Sequence, residues 1–578
     1  MKAIVPDWAK DAVWYQIFPE RFANGDTAND PGPGSLEIPA PEGWGITPWT
    51  SDWYARAEWE KKLSPDFFRT ILHRRYGGDI RGIMDKLDYI KDLGANAIYL
   101  NPMFRAASHH KYDGASFHHI DEHFGPDPEG DRRMIEAARE TADPETWGWT
   151  SADRLFLELV QKVHGMGMRI IIDGVFNHCG RQFFAFQNLL KNKKDSPYLD
   201  WYNVLEWTDK TPDGFYYNGW WGINELPEFR RDENTFNPGY KKYLFDITSR
   251  WLAPEGKTGN GVDGFRLDVA FCVPHGFWKE WRAHVKSVKP DAYLTAEVID
   301  LDPKYVSGDE FDAMMNYQFT MAAVCFLADR EKRIPSAEFD RRLAKIRAAY
   351  PEDVTYVMQN LMASHDTPRL RSILANPDLD IWDFTGFHHR SKTELNKSYD
   401  TGRGGKREGA LHRLCAALQM TYIGAPMVYY GDELGMPGAN DPDCRKPMLW
   451  PGMKFEKESM PPGRSGRPSA NKPDLELLAW YKKLAALRHR HEALRRGTFE
   501  TAYSEEEGHL FAFVRRCGGE AVLCVINADD RPRSAVIPGG GIFASSKDVL
   551  GTGALSSSGK NAELKMPPLA AAIFPIAQ

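Results

Sequence analysis

Gly261-Val262-Asp263-Gly264-Phe265-Arg266-Leu267-Asp268 is the stretch on which the fold turns. Apolar residues between glycines predict a short buried strand over 262–267. Side chains alternate along a strand, so Arg266 and Asp268 point the same way. A guanidinium beside a carboxylate favours its ionised form. An ionised, positioned aspartate is what covalent catalysis by a carboxylate needs as nucleophile. A structural ion pair at a strand end accounts for the octapeptide alone equally well.

Working outward, the same kind of segment recurs. Short strands are expected at 13–18, 97–100, 169–173, 292–298, 313–318, 355–363 and 426–431, making eight with 262–267. Helical patterns alternate with them. Over 80–93 the apolar face is Ile83, Met84, Leu87, Ile90 and Leu93, with Gly94 as stop. Over 153–164 it is Leu155, Leu159, Val160 and Val163, with Gly165 as stop. Eight strands with intervening helices fit a closed (β/α)₈ TIM barrel better than an open sheet.

Three departures organise the rest. Residues 31–75, rich in Pro, Gly and Trp and then charged, read as an insertion packed over the start of the fold. Roughly 90 residues separate the third strand from the fourth, too many for a loop. An excursion domain over 179–240, centred on the aromatic run 215–222, is expected there. After the last long helix, 475–494, and Gly497, alternating segments such as 510–514 and 521–525 predict a C-terminal antiparallel β-sandwich over 497–578. The barrel then comprises 1–178 and 241–496.

Composition narrows the class. The chain has 578 residues, 42% hydrophobic and 26% charged, as in a multidomain globular protein. Its net charge of −7 argues against a nucleic-acid partner. No apolar run approaches a membrane span, and the start has no apolar core of leader length. The seven cysteines, odd in number and without a CxxC pair, read as reduced thiols. A cytoplasmic location is expected; a leader removed earlier would leave the same pattern. The 18 Trp and 23 Tyr suit stacking on sugars or a large core alike. In Asn24-Gly25-Asp26-Thr27-Ala28-Asn29-Asp30, five oxygen-bearing side chains bent by a glycine offer a cage for Ca²⁺. On local grounds alone an Asx-rich turn is the better reading.

In a barrel, the loops after the strands share one rim, where active sites lie. These loops carry 109–113 (His-His-Lys-Tyr-Asp), 173–178 (Asp-Gly-Val-Phe-Asn-His), Arg266 with Asp268, Glu297, and 364–369 (Ser-His-Asp-Thr-Pro-Arg). Clustered like charges cost stability, so such a rim points to a site rather than to packing.

Together with Gly431-Asp432-Glu433, this motif set resembles the α-amylase family of glycoside hydrolases, across essentially the whole chain. Within it, 225–229 and the residues following Asp268 resemble the cyclomaltodextrinase, neopullulanase and maltogenic amylase group. That group carries a further N-terminal β domain. This chain starts almost at its first barrel strand, which leaves dimerisation by that route, and the oligomeric state, open.

The resemblance implies retaining hydrolysis of α-glucosidic bonds in an oligosaccharide. It makes Asp268 the nucleophile, Glu297 the acid and base, and Asp366 the transition-state stabiliser. Tyr112 would stack on a sugar ring, His178 and His365 would bond its hydroxyls, and Arg266 would orient Asp268. Asp113 and Arg369 are expected to pair in the pocket wall. The resemblance also implies a structural Ca²⁺ held by Asn24, Asp26, Asn29 and Asp30 with Gly77 and Asp79. Relatives commonly have Trp where this chain has Ile299, and Asn-Glu where it has Phe271-Cys272. Both positions lie on the acceptor side, so transglycosylation or isomerisation on the same scaffold is the first alternative. A catalytically inactive sugar-binding or transporter-accessory protein is the second, and three intact carboxylates weigh against it.

Overall fold

The computed structural model describes residues 5–329 and 332–577. Its first ten strands are β1 (Trp14–Ile17), β2 (Ala97–Leu100), β3 (Arg169–Gly174), β4 (Val204–Trp207), β5 (Phe215–Tyr217), β6 (Gly264–Leu267), β7 (Tyr293–Ala296), β8 (Ala313–Met314), β9 (Gln359–Leu361) and β10 (Ala425–Tyr429). Eight of them form one parallel sheet in the order β8-β7-β6-β3-β2-β1-β10-β9. A parallel bridge between Met315 and Gln359 brings the two edge strands together, so the sheet is a barrel.

All eight expected barrel strands are present; six are shorter than the sequence suggests, β8 and β9 most of all. β8 ends early because Asn316 caps the helix Tyr317–Leu327, its side chain accepting from Phe319 N. β9 is preceded by the helical turn Glu352–Thr355. The helix over 80–93 is broken at Lys86 into Ile80–Asp85 and Leu87–Leu93, and Gly94 stops it at φ +93. The next helix, Ser151–Gly165, starts on a reciprocal capping box between Thr150 and Asp153. Gly165 stays helical, and the left-handed residue behind it is Gly167 at φ +73. The last long helix stops at Arg490, with a short piece, Glu492–Arg496, following.

Gly264 shows how tightly β6 is seated. Its φ is +146, and a Cβ there would lie 1.8 Å from Tyr293 O on β7. Only glycine fits.

Between β3 and β6 the chain forms the helix Phe184–Asn192 and the antiparallel β4–β5 hairpin, then returns through the helix Pro238–Leu252. The excursion is stapled to the rim by backbone bonds: Cys179 N to Pro227 O (3.1 Å) and Phe229 N to Asn177 O (3.3 Å). The 31–75 segment gathers Trp53, Tyr54, Phe67 and Ile71 around Tyr76. Arg21, just past β1, lies over Tyr76 at 4.7 Å. The same segment also grips the loop after β10, Trp53 and Tyr54 both donating to Asp443 (2.8 and 2.9 Å).

The C-terminal strands are β11 (Thr498–Tyr503), β12 (Leu510–Cys517), β13 (Glu520–Asn527), β14 (Arg533–Ile537), β15 (Ala554–Ser558), β16 (Asn561–Met566) and β17 (Ala570–Ala577). They make two antiparallel sheets, β11-β12-β13-β17 and β14-β16-β15. Alternation along β12 sends Leu510, Ala512 and Val514 into the core between these sheets. Phe511 and Phe513, on the other face, join the core that contains the barrel. All seven cysteines are free. Among the described residues, no helix is long and apolar enough to cross a membrane.

Candidate active site

Strand register assembles the centre. β6 and β7 pair Leu267 with Ala296, so the next residues, Asp268 and Glu297, leave the sheet side by side. Their N–H groups continue the ladder, Asp268 N to Gly174 O (3.1 Å) and Glu297 N to Leu267 O (3.0 Å). β3 and β6 pair Asp173 with Arg266. The buried Arg266 guanidinium reaches Asp173 (3.0 Å), Asp268 (2.8 Å), Glu297 (2.9 Å) and, at 4.0 Å, Asp366. Three of these carboxylates are buried, and Asp366 is half-buried, with a third of its side chain open to solvent.

One guanidinium shared among crowded carboxylates leaves negative charge uncompensated, which favours protonation of the buried ones. Burial pushes Glu297 up to about 6; Asp366 and Asp173 push the same way, and Arg266 opposes. Asp268 is also raised, by burial first and then by Glu297 and Asp173, against the pull of Arg266. The octapeptide alone suggests that Arg266 keeps Asp268 low. Burial and the neighbouring carboxylates, invisible in eight residues, reverse that direction.

The remaining expected residues divide into two sets. Tyr112, His365 and His178 join the centre. The Tyr112 ring stacks on His365 (5.4 Å, 3° between planes), and its hydroxyl donates to Asp173 (3.0 Å). Amide groups of Gln16 and Asn101 face His365 Nδ1 at 3.0 and 3.2 Å. Amide donors there leave the proton on Nε2, which lies 3.0 Å from Asp366. Burial, Arg445 and Arg266 hold His365 neutral. His178 stacks on Trp220 (4.8 Å), which stacks on the exposed Trp221 (4.6 Å). Burial pushes His178 down to about 3, and its Nε2 has no protein partner.

Asp113 and Arg369 do not pair. The Asp113 carboxylate accepts from Ser108 N at 3.1 Å and from the Ser108 hydroxyl. Arg369 donates to Tyr430 O (2.6 Å) and faces Asp432 at 3.5 Å. Each has a nearer partner on its own side of the rim.

Two contributors escape sequence reasoning. Arg445 holds Asp366 (3.2 Å) and the His365 carbonyl (3.0 Å), and is itself paired with Asp441 (3.0 Å). The charged run 441–446 after the eighth strand was the available signal. Val269 adopts φ +37 and ψ 48, a left-handed conformation costly for a β-branched residue. That turn aims Val269 N at Glu297 Oε2 (2.8 Å). A valine at such a position carries no sequence signal.

Residues 16–142 and 148–383 match the α-amylase catalytic domain family. The chain belongs to the α-amylase family. It is thus a glycoside hydrolase, similar to neopullulanase 2 of Thermoactinomyces vulgaris, at 36% identity over 90% of this chain and 70% of that protein. It is also similar to the intracellular maltogenic amylase of Bacillus subtilis strain 168, at 33% identity over 90% and 69%. The cyclic α-maltosyl-(1→6)-maltose hydrolase of Arthrobacter globiformis, solved with that cyclic sugar, superposes with a TM-score of 0.70. Its identity is 27% over 99% of this chain and 100% of that one.

This α-amylase-family chain has a second polar cradle beside β1. Asn24 donates to Asp30 (2.6 Å), and Asn29 donates to Asp79 (3.0 Å). Asp79 also accepts from Gly25 N and Asp26 N, both at 3.0 Å, and caps the following helix through Gly82 N (2.6 Å). Two oxygens, Asn24 Oδ1 and Asn29 Oδ1, are buried without a partner. Burial raises Asp30, with Asp79, Glu20 and Asp26 adding to the push. Gly77, at φ +76, has no room for a Cβ, which would lie 2.1 Å from Asp30 Oδ1. Orphaned carbonyl oxygens among crowded carboxylates fit a hard cation such as Ca²⁺. Asp26 Oδ1, by contrast, accepts from Ala28 N (3.0 Å), an ordinary Asx turn.

Proposed function

We propose that this protein is a retaining α-glucoside hydrolase acting on maltooligosaccharides, cyclodextrins and pullulan- or starch-type glucans. Its target is the α-1,4 bond, with the α-1,6 bond as a second. The observation that carries this reading is the side-by-side emergence of Asp268 and Glu297 from paired strands, both on Arg266. Asp268 attacks the anomeric carbon as Glu297 gives its proton to the departing oxygen. A glycosyl ester on Asp268 results. Glu297, now ionised, takes a proton from water, which displaces the ester and restores both groups. Asp366, held by Arg445 and His365, grips sugar hydroxyls and balances the positive charge of the transition state. Tyr112 supplies a stacking face, and the neutral His178 and His365 bond hydroxyls.

Acceptance of sugars that contain α-1,6 linkages draws support from the cyclic α-maltosyl-(1→6)-maltose hydrolase, similar over the full length, whose substrate contains that linkage. Incubation with maltotriose, γ-cyclodextrin, pullulan and starch, with products followed by chromatography and anomers by NMR, tests the proposal. Shortened sugars released first as the α-anomer are expected; β-anomers would exclude a retaining route.

Transfer to a second sugar is favoured by one observation. Phe271, next to the catalytic turn, and Trp221 expose large apolar faces, at 44% and 74%. An acceptor sugar stacked there would compete with water. Longer products early in a concentrated maltotriose reaction would support this reading.

The cradle at Asn24, Asp26, Asn29, Asp30, Gly77 and Asp79 supports a structural Ca²⁺ that ties the loop after β1 to the helix at 80. A cytoplasmic location draws support from seven free cysteines and from the intracellular Bacillus subtilis relative.

A further inference from the structure

The loop after β2 carries two consecutive buried histidines, His118 and His119, that the catalytic centre does not use. Their Nε2 atoms converge on one oxygen, Glu140 Oε2, at 3.2 and 2.7 Å. Among the described residues, these three side chains are the one group of three His, Cys, Asp or Glu donors gathered within 4.8 Å of one another.

What stands behind the rings matters as much. His118 Nδ1 lies 2.8 Å from Tyr243 OH, and His119 Nδ1 lies 2.8 Å from Asp153 Oδ2. Asp153 is itself fixed, accepting from Ile120 N (2.8 Å) and pairing with Arg250 (3.1 Å). His118 is clamped flat against Trp147, 4.5 Å away with 6° between planes. Imidazoles held through one nitrogen by a carboxylate or hydroxyl, with the other turned to a shared point, are oriented as metal ligands are.

We propose that His118 Nε2, His119 Nε2 and Glu140 Oε2 form a binding site for a divalent transition ion of the Zn²⁺ type, with water completing the coordination. Two imidazoles and one carboxylate are a borderline donor set, which suits Zn²⁺ or Co²⁺ and disfavours Ca²⁺ and Mg²⁺. Glu140 lies on the surface-running segment 139–146, with its side chain turned in and 5% exposed. Bound there, the ion pins the loop after β2 and the 140 segment against the helices Ser151–Gly165 and Pro238–Leu252, which supply Asp153, Tyr243 and Arg250. Its role is structural, and it is separate from the Ca²⁺ cradle and from the catalytic carboxylates.

The competing occupant is a proton. Burial lowers His119, but Asp153 and Glu140 outweigh it and hold the ring up to about 9, with His118 alongside and Arg250 beyond Asp153. A histidine cation between two carboxylates would satisfy the cluster with no metal at all.

The full chain decides between the two. Transition ions are stripped with dipicolinate while Ca²⁺ is kept in excess, and Zn²⁺ or Co²⁺ is then returned at about pH 8. Uptake is measured by equilibrium dialysis and elemental analysis, and Tm by calorimetry. One tightly held equivalent of Zn²⁺ is expected, with a higher Tm and visible d–d bands for Co²⁺. Glu140→Gln and His118→Gln each weaken uptake at least about 100-fold, and Glu140→Gln leaves the turnover of maltotriose unchanged. No uptake by the wild-type chain at about 10 µM free Zn²⁺ overturns the site, whatever the variants do. Undiminished uptake in both variants overturns it equally.

Discussion

Arg266 is the residue on which the chemistry balances, and it is outnumbered. Asp173, Asp268, Glu297 and Asp366 all face its guanidinium, so the cluster holds a proton more readily than separate carboxylates would. Glu297, raised to about 6, is suited to give that proton to a leaving sugar. The acid must be protonated to act, so kcat/KM on maltotriose is expected to fall about tenfold per pH unit above about 6. Glu297→Gln should abolish that alkaline limb and cost on the order of 10³-fold. On a maltosyl fluoride, whose leaving group needs little protonation, the same variant should keep far more of its first-step rate. Initial rates across pH on both substrates check this; equal losses on both would remove Glu297 from the acid role. Arg266 and Asp268 were legible as a pair because they sit two apart on one strand. Arg445 was not legible as Asp366's partner, because only closure of the barrel brings positions 79 apart together.

At the scale of elements, the centre depends on β6 and β7 keeping register. Gly264 is the pinch point, where an added Cβ meets Tyr293 O at 1.8 Å. Gly264→Ala is expected to force these strands apart, costing about 3 kcal/mol and displacing Asp268 from Glu297. Gly259→Ala, with nothing within 4 Å of the new Cβ, should change stability by less than about 0.5 kcal/mol. Thermal midpoints and residual activity of the two variants check the contrast; equal behaviour would show that register there is not decisive. Strand existence was legible because glycine stops and apolar runs alternate with amphipathic helices. Strand ends were less so. The helix Tyr317–Leu327 is buried at every residue but Gln318, so its apolar run carries no period to separate it from β8.

At the scale of the molecule, loops far apart in sequence meet on one rim, and two additions brace it. β12 is buried on both faces, with Leu510, Ala512 and Val514 in the sandwich and Phe511 and Phe513 in the core shared with the barrel. The alternation predicted the strand; the second buried face became visible only with the partner surface in place. At the other end, the cradle around Asn24 and Asp30 joins the loop after β1 to the helix Ile80–Asp85. If the cradle holds Ca²⁺ as proposed, its removal would leave crowded carboxylates and the buried Asn24 and Asn29 oxygens without a counter-ion. Chelation is therefore expected to lower Tm by about 2–5 °C, with full recovery on adding Ca²⁺ and none on adding Mg²⁺. An unchanged Tm, with no calcium found by elemental analysis, would reduce the cradle to an Asx turn.

The covalent role of Asp268 is tested most directly by trapping. A fluorinated α-glucosyl fluoride that forms the glycosyl ester quickly and releases it slowly should add one sugar mass to the chain. Proteolysis and mass spectrometry should place that mass on the peptide carrying Asp268. Asp268→Asn should take up no label and lose on the order of 10⁴-fold in turnover. Label on another carboxylate, or Asp268→Asn turning over within a few fold of wild type, would contradict the account.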